Sequence, residues 1–202
     1  MTKEAIIAAV RQQIREQFSG EGTGHDYFHI ERVVRNALRI AGTEPGADLF
    51  LVALAAWVHD LGDYKLHGGV DRSEALITTL LGSLNIPQDT IAKVVEIVSQ
   101  VSFSKGKTAE SLEAKIVQDA DRLDALGAIG IARVFAFGGS RHRELYNPDD
   151  PEQTSIQHFY DKLLTLKDKM NTSLARTIAG ERHRYLEAFL QQFYAEWNGE
   201  ES

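Results

Sequence analysis

The sequence predicts an all-α protein built as one domain. Apolar residues recur at helical spacing along most of the 202 residues, and no segment shows the alternating pattern of a β-strand. Apolar residues make up 43% of the chain, which is enough for one sizeable core and short for two. We therefore predict a single domain over residues 1–202.

Eight helices are predicted from this periodicity and from the positions of Gly and Pro. Their predicted ranges are 3–18, 27–42, 47–61, 72–84, 88–102, 110–136, 154–169 and 172–197. The first is amphipathic, with charged residues between its apolar ones, and is typical neither of a signal peptide nor of a membrane span. Residues 138–153, with two Gly and two Pro, form the longest predicted loop and a candidate lid.

The composition excludes several classes of protein. There is no Cys, so a disulfide scaffold, a thiolate metal site and a Cys nucleophile are excluded. The longest mainly apolar run, residues 49–58, is too short to cross a bilayer, and we expect a cytoplasmic protein with no membrane partner. The net charge of -7 argues against a nucleic-acid partner. A phosphate substrate would need a metal ion or a few placed Lys and Arg side chains.

An imidazole and a carboxylate, His59 and Asp60, directly follow the apolar run 49–58. Burying an unpaired carboxylate costs several kcal/mol, roughly, and the C-terminus of a helix is itself negative. A bound cation would remove both conflicts. On these residues alone, a pair of metal ligands and a simple helix cap remain equal alternatives.

His29 lies in the predicted helix 27–42, on a face with Val33 and Asn36. A single histidine in such a place is usually a hydrogen-bonded core residue. His25, four residues earlier, would share this face if the helix began early, and two histidines at that spacing resemble half of a zinc site. Either interpretation fits the two histidines alone.

Three carboxylates fall within six positions of an apolar helix, at Asp119, Asp121 and Asp124. Asp119 and Asp121 lie about 200° apart on a helix, so one site is not expected to use both. Asp121 and Asp124 share a face with Ala125 and Ala128, whose small side chains leave room for a ligand. The alternatives are a solvated acidic face, or Asp119 as a cap, although the apolar flanking residues argue against full solvation.

Three segments together resemble the HD superfamily of metal-dependent phosphohydrolases, whose ligands are a His, then a His-Asp pair, then a distant Asp, all on helices. The segments are GHDYFHIERV (24–33), HDLGDYK (59–65) and QDADRLDALG (118–127). The last of these segments, extended through residues 128–139, also resembles a bacterial subfamily of single-domain HD hydrolases in which nucleotide pyrophosphohydrolase activity is known. Two more segments share that likeness, HFYDKLL (158–164) and KDKMN (167–171), so the resemblance covers about residues 20–197.

The resemblance implies an HD-type helical bundle that holds one divalent metal ion. A metal-site core would span about residues 20–136, with C-terminal helices over about 154–197 packing on it. Alignment on Asp-Arg-Leu places the last ligand at residue 121 rather than 119. Imidazoles and carboxylates suit Mn, Fe, Co, Ni, Zn or Mg, and the sequence does not distinguish among these ions. The implied ligands are His29, His59, Asp60 and Asp121.

The resemblance also implies which residues meet the water and the substrate. In related HD hydrolases an acid at the place of Asp63 positions or deprotonates the attacking water, and its alternative role is to end the helix in a turn. Lys65 is the best candidate for binding a phosphate, because it follows the His-Asp pair closely. Arg122, His25 and His158 are the other candidate substrate contacts, although Arg122 could instead form a structural ion pair.

The function expected from these residues is metal-dependent hydrolysis of a phosphoanhydride or phosphoester in a small phosphorylated substrate, with (d)NTP pyrophosphohydrolysis as the leading reaction. A nucleoside monophosphate phosphatase and a non-catalytic domain that senses a nucleotide are the alternatives. The complete ligand set and Asp63 argue against the sensing domain. A cyclic-nucleotide diesterase is disfavoured, because dinuclear relatives supply further His ligands between the pair and the last Asp, where this chain has only His67. A homodimer remains open.

Overall fold

The computed structural model describes residues 1–20, 26–63, 68–101 and 108–200. All the regular secondary structure in these ranges is helical, which confirms the predicted all-α class. The α-helices are α1 (Lys3–Gln17), α2 (Tyr27–Ala41), α3 (Leu49–Val58), α4 (Ser73–Ser83), α5 (Gln88–Ser99), α6 (Leu112–Asp124), α7 (Gly127–Ser140), α8 (Gln157–Asp161) and α9 (Ser173–Asn198).

The chain divides into two compact units, Met1–Asp121 and Arg122–Ser202. In the first unit α3 packs against α1, α2 and α5, and α4 packs against α5. Residues 52–58 of α3 are all buried, which explains why this helix is apolar on every side. In the second unit α7 packs against α9. That the two units form one domain stays a prediction.

Two Asp side chains set the starts of the helices that lead to the candidate site. Asp26 precedes α2 and accepts a hydrogen bond from the backbone N–H of His29 at 2.7 Å. Asp48 precedes α3 and accepts from the backbone N–H groups of Phe50 and Leu51 at 2.9 and 3.2 Å. These caps satisfy amide groups that have no partner within the helix.

The predicted helix over 110–136 is wrong, because the structure breaks it into α6 and α7. Leu126 is extended and Gly127 takes a left-handed backbone with φ of +70°, so the helical hydrogen bonds cannot continue. The apolar spacing runs on across the break, and for that reason the periodicity does not reveal it. No single helix in the described ranges is long and apolar enough to cross a membrane, and only the bent pair α6 and α7 together meets that test by length and composition.

The predicted helix over 154–169 is also wrong. Only α8 is α-helical there, and two short 3-10 turns follow it at residues 163–165 and 167–169. The helix ends because Lys162 has φ and ψ of -134° and -61°, outside the helical region. The predicted loop 138–153 is shorter than expected, since α7 extends to Ser140 and residues 151–153 form a 3-10 turn. Its role as a lid stays a prediction.

Candidate metal centre

His29 occupies the first turn of α2, where its backbone is fixed by the Asp26 cap. Its side chain is completely buried. A buried imidazole needs partners for its ring nitrogens. Its Nε2 atom lies within 3.6 Å of a potential ligand atom on each of His59, Asp60 and Asp121.

His59 is the C-terminal cap of α3, and Asp60 follows it in the turn that ends the helix. The Nδ1–H group of His59 donates to the carbonyl oxygen of Ala56 at 2.9 Å. In the neutral tautomer assigned from this hydrogen bond, Nε2 carries the lone pair. A backbone carbonyl bonded to the far ring nitrogen is the usual way in which proteins orient a metal-binding histidine.

Asp121 lies on α6 and completes a group of four converging side chains. Its Oδ1 atom lies 3.6 Å from Nε2 of His29 and 3.9 Å from Nε2 of His59. The carboxylate oxygens of Asp60 lie 3.3 Å from Nε2 of His29 and 3.5 Å from Nε2 of His59. The two Nε2 atoms are 3.3 Å apart. The structure thus brings together all four residues that the sequence suggests as ligands.

The donor set fits a divalent ion in both geometry and charge. Ligand atoms about 2.1 Å from one ion lie about 3.0–3.5 Å from one another, which is close to the separations observed here. Two carboxylates gathered in a largely buried place beside two imidazoles also favour a positive charge between them. His29, His59 and Asp121 form a cluster that could hold a metal ion, and Asp60 lies against it.

The position of Asp121 agrees with the preference for it over Asp119. Asp119 is completely buried, whereas the Asp121 side chain is 27% exposed. Two positions along a helix correspond to a rotation of about 200°, so the two carboxylates project to different sides of α6. Of the two, Asp121 is the one whose oxygen lies beside both histidines.

Asp63 lies just beyond the His-Asp pair in a turn that depends on Gly62. The backbone N–H of Asp63 donates to the carbonyl oxygen of Asp60 at 3.1 Å, and Asp63 is buried. Gly62 has φ of +81°, and a Cβ atom there would lie 2.6 Å from the backbone of Arg72 and Ser73. Only glycine fits this close approach, which holds Asp63 next to Asp60.

The candidate substrate contacts are located less completely. The Arg122 guanidinium donates a hydrogen bond to the backbone carbonyl of Lys169, which is a structural contact within the second unit. His158 is half-buried in α8. Lys65 and His25 lie outside the described residues. Substrate binding by all four stays a prediction.

Two aromatic residues that were not among the predicted site residues flank the histidines. Tyr27 and Trp57 each lie two residues before a histidine of the cluster, and their rings stack with centroids 6.1 Å apart. Both side chains are buried. The repeated aromatic-x-His pattern in residues 27–29 and 57–59 is the signal that could have drawn attention to them.

An all-helical fold with two histidines and two aspartates converging from three helices defines the class of metal-dependent phosphohydrolases that the sequence resembles. The HD domain family matches residues 26–126, which contain the whole cluster. The chain belongs to this family, and the predicted HD-type fold is thereby confirmed.

Known relatives resemble almost the whole chain. The uncharacterized protein YpgQ of Bacillus subtilis (strain 168) is 42% identical over 187 residues, which cover 91% of this chain and 89% of that protein. The crystal structure of B. subtilis YpgQ in complex with ADP has a TM-score of 0.83 at 38% identity, covering 97% of both chains. An HD-superfamily hydrolase from Bacillus thuringiensis has a TM-score of 0.80 at 39% identity, covering 98% of this chain and 99% of the other.

Proposed function

We propose that this protein is a metal-dependent hydrolase of nucleoside triphosphates that releases pyrophosphate. The observation that carries the proposal is the convergence of His29, His59, Asp60 and Asp121 at one point. The related YpgQ structure that contains ADP supports a nucleotide as the substrate class. Membership of a family that contains hydrolases supports turnover rather than binding alone.

The four converging residues would hold one divalent ion. When bound, such an ion supplies acidification of water and stabilisation of the negative charge that develops on the phosphoryl group. The two carboxylates would leave the ion with little net charge of its own. Histidine and carboxylate ligands together fit several ions, from Mg to Zn, and the test must therefore include more than one.

Asp63 is assigned the role of general base. Its carboxylate would take a proton from the attacking water as the water oxygen bonds to the α-phosphorus, and the bond from that phosphorus to the bridging oxygen of the leaving pyrophosphate breaks. The Gly62 turn holds Asp63 beside Asp60 without making it one of the four converging groups. General-base assistance of this kind typically contributes about 10²–10⁴-fold in rate.

The phosphates of a triphosphate need further cations, because the chain already carries a net charge of -7. Lys65 is assigned the principal phosphate contact, and Arg122, His25 and His158 are assigned secondary contacts. Charge-assisted contacts of this type are the strong ones in phosphate recognition.

The test is a screen of ribo- and deoxyribonucleotides with Mn²⁺, Mg²⁺, Co²⁺, Ni²⁺ and Zn²⁺, with phosphate and pyrophosphate assayed separately. We expect pyrophosphate and the nucleoside monophosphate as the products from triphosphates, and no release from the Asp60→Ala variant. Phosphate release from monophosphates alone would instead identify a phosphatase. Tight nucleotide binding without turnover under any ion would identify a sensing domain.

A further inference from the structure

An aromatic stack joins the two helix turns that carry the histidines of the metal centre. Tyr27 lies in the first turn of α2 with His29, and Trp57 lies in the last turn of α3 before His59. Their rings stack with centroids 6.1 Å apart and planes 24° apart. Each ring is two residues from a histidine, so the stack joins the two helix turns whose histidine Nε2 atoms lie 3.3 Å apart.

Arg11 of α1 contacts both rings of this stack. Its Nε–H donates to the hydroxyl oxygen of Tyr27 at 2.8 Å, and its guanidinium carbon lies 5.9 Å from the centroid of the Trp57 ring. A second donor, Nη2–H, bonds to Oε1 of Glu31 at 2.7 Å. The Tyr27 hydroxyl in turn donates to the same Glu31 oxygen at 3.3 Å. Arg11, Tyr27 and Glu31 therefore close a ring of hydrogen bonds over the stack.

A contribution to folding stability does not account for this arrangement. The Arg11 side chain is 54% exposed, and an exposed ion pair such as Arg11 with Glu31 contributes little to folding, because solvent screens it. The hydrogen bond to Tyr27 is different, because it fixes the position of the hydroxyl end of a buried ring that stacks on Trp57 in the last turn of α3. Its effect is therefore on the geometry of the neighbouring turns.

We propose that Arg11 is a positioning residue of the metal centre, which acts through Tyr27 and Trp57 to fix the relative placement of the turns that carry His29 and His59. The inference rests on the proposed function, since it assumes that these histidines bind the ion. Helix α1 contributes no ligand to the cluster, yet it sets how well the ligands are arranged before the ion arrives. Ligands that are already in place bind a metal more tightly, because less ordering is needed on binding.

Lys3 provides a matched control, because it joins the same two helices, α1 and α3, at another place. Lys3, also on α1, lies 5.0 Å from the centroid of the Phe50 ring of α3, at the end of α3 opposite His59. It makes the same type of cation–π contact between the same two helices. Lys3→Met therefore removes a comparable contact while leaving the Tyr27–Trp57 stack intact.

The experiment measures the dissociation constant for Mn²⁺ by calorimetry on chelator-treated full-length protein. We expect Arg11→Met to raise this constant about three- to tenfold, less than the 10- to 100-fold typical when a direct partner of a ligand is removed. Lys3→Met should leave it unchanged. Tyr27→Phe should give a similar rise in the dissociation constant. The double variant with Arg11→Met and Tyr27→Phe should give no further rise, because both changes break the same hydrogen bond between Arg11 and Tyr27. The visible spectrum of the Co²⁺ form should change in Arg11→Met and in Tyr27→Phe, and should stay unchanged in Lys3→Met.

Three results would overturn the inference. One is an Arg11→Met dissociation constant within twofold of the unchanged protein, and another is an equal rise in Lys3→Met, since either would assign α1 a purely structural role. The unfolding midpoints of Arg11→Met and Lys3→Met are also measured in chelator. We expect comparable losses of stability, so that a difference in Mn²⁺ affinity between the two variants does not come from stability. If the unchanged protein binds no Mn²⁺, Co²⁺ or other divalent ion, the metal centre itself is refuted and the inference falls with it.

Discussion

Asp60 and Asp63 lie three residues apart at the end of α3, and both are buried. The carboxylate oxygens of Asp60 lie within 3.5 Å of the Nε2 atoms of both histidines. Asp63 is held by the backbone of the turn, through its N–H bond to the Asp60 carbonyl. Asp60 is therefore the proposed metal ligand, and Asp63 is proposed to act after the metal has bound.

Replacing Asp60 should remove the bound metal and the activity together. Asp60→Ala deletes a carboxylate that faces both histidines, and three remaining ligands hold a divalent ion less tightly. Elemental analysis and turnover of the purified variant provide the measurement, and Asp149→Ala, at an exposed loop position, is the matched control. A full complement of metal in Asp60→Ala would rule out the proposed centre.

Replacing Asp63 should separate metal binding from turnover. Asp63→Ala leaves all four converging side chains in place, so metal content should remain as it was. The turnover rate should fall by about 10²–10⁴-fold, because the attacking water loses its proton acceptor. Elemental analysis and steady-state kinetics measure the two effects. Loss of the ion, or a nearly normal rate, would show that Asp63 has another role.

At the scale of elements, the turn between α3 and α4 decides where Asp63 lies. The backbone N–H of Arg72 donates to the Gly62 carbonyl at 2.9 Å, so the start of α4 is fastened to this turn. The close approach leaves no space for a Cβ atom at residue 62. The geometry of the turn that holds Asp63 is therefore set by a backbone contact with residues ten positions later.

Gly62→Ala and Gly46→Ala should differ in their effects, although both glycines have a left-handed backbone. Gly46 has φ of +90° and open space around its Cβ position, so Gly46→Ala should cost only about 1–2 kcal/mol from its conformation. Gly62→Ala adds a clash with the Arg72 and Ser73 backbone, and should cost at least about 1 kcal/mol more and lower the turnover rate. Urea unfolding and kinetics measure both effects. Equal losses in the two variants would contradict the steric account.

Much of this element structure could be predicted from the sequence. The start of α2 follows from Asp26 as a cap, and the buried course of α3 follows from its unbroken apolar run. The break between α6 and α7 could not be predicted, because Gly127 is compatible with a helix as well as with a turn. The short form of α8 was missed for a similar reason, since its apolar spacing continues into the 3-10 turns.

At the scale of the whole molecule, the candidate metal centre joins the consecutive helices α2 and α3 to α6, which lies much later in the chain. His29, His59 and Asp121 come from α2, from the end of α3 and from α6, so the potential ligands come together only when these helices have packed. An ion that binds only the folded state adds its binding free energy to the stability. The stability of this protein should therefore depend on divalent ions.

Removing the metal should lower the unfolding temperature. At a free ion concentration 100 times the dissociation constant, binding adds about 2.7 kcal/mol. For a chain of this size that corresponds to about 5–10 °C, at about 2–4 °C per kcal/mol. Thermal unfolding with Mn²⁺ and with chelator measures the shift. His59→Ala should unfold at the same temperature in both conditions, and a shift of normal size in that variant would argue for binding elsewhere.

The sequence by itself determined the helical class, the HD family resemblance and the identity of the four residues that converge. These follow from local patterns, namely apolar spacing and the types and order of the potential ligands. Only the tertiary structure decided that Asp121 faces the histidines at 3.6–3.9 Å, and that Arg11 of α1 reaches Tyr27. Residues 121 and 29 are 92 positions apart, and their separation depends on how α2 and α6 pack, which no local pattern in the sequence encodes.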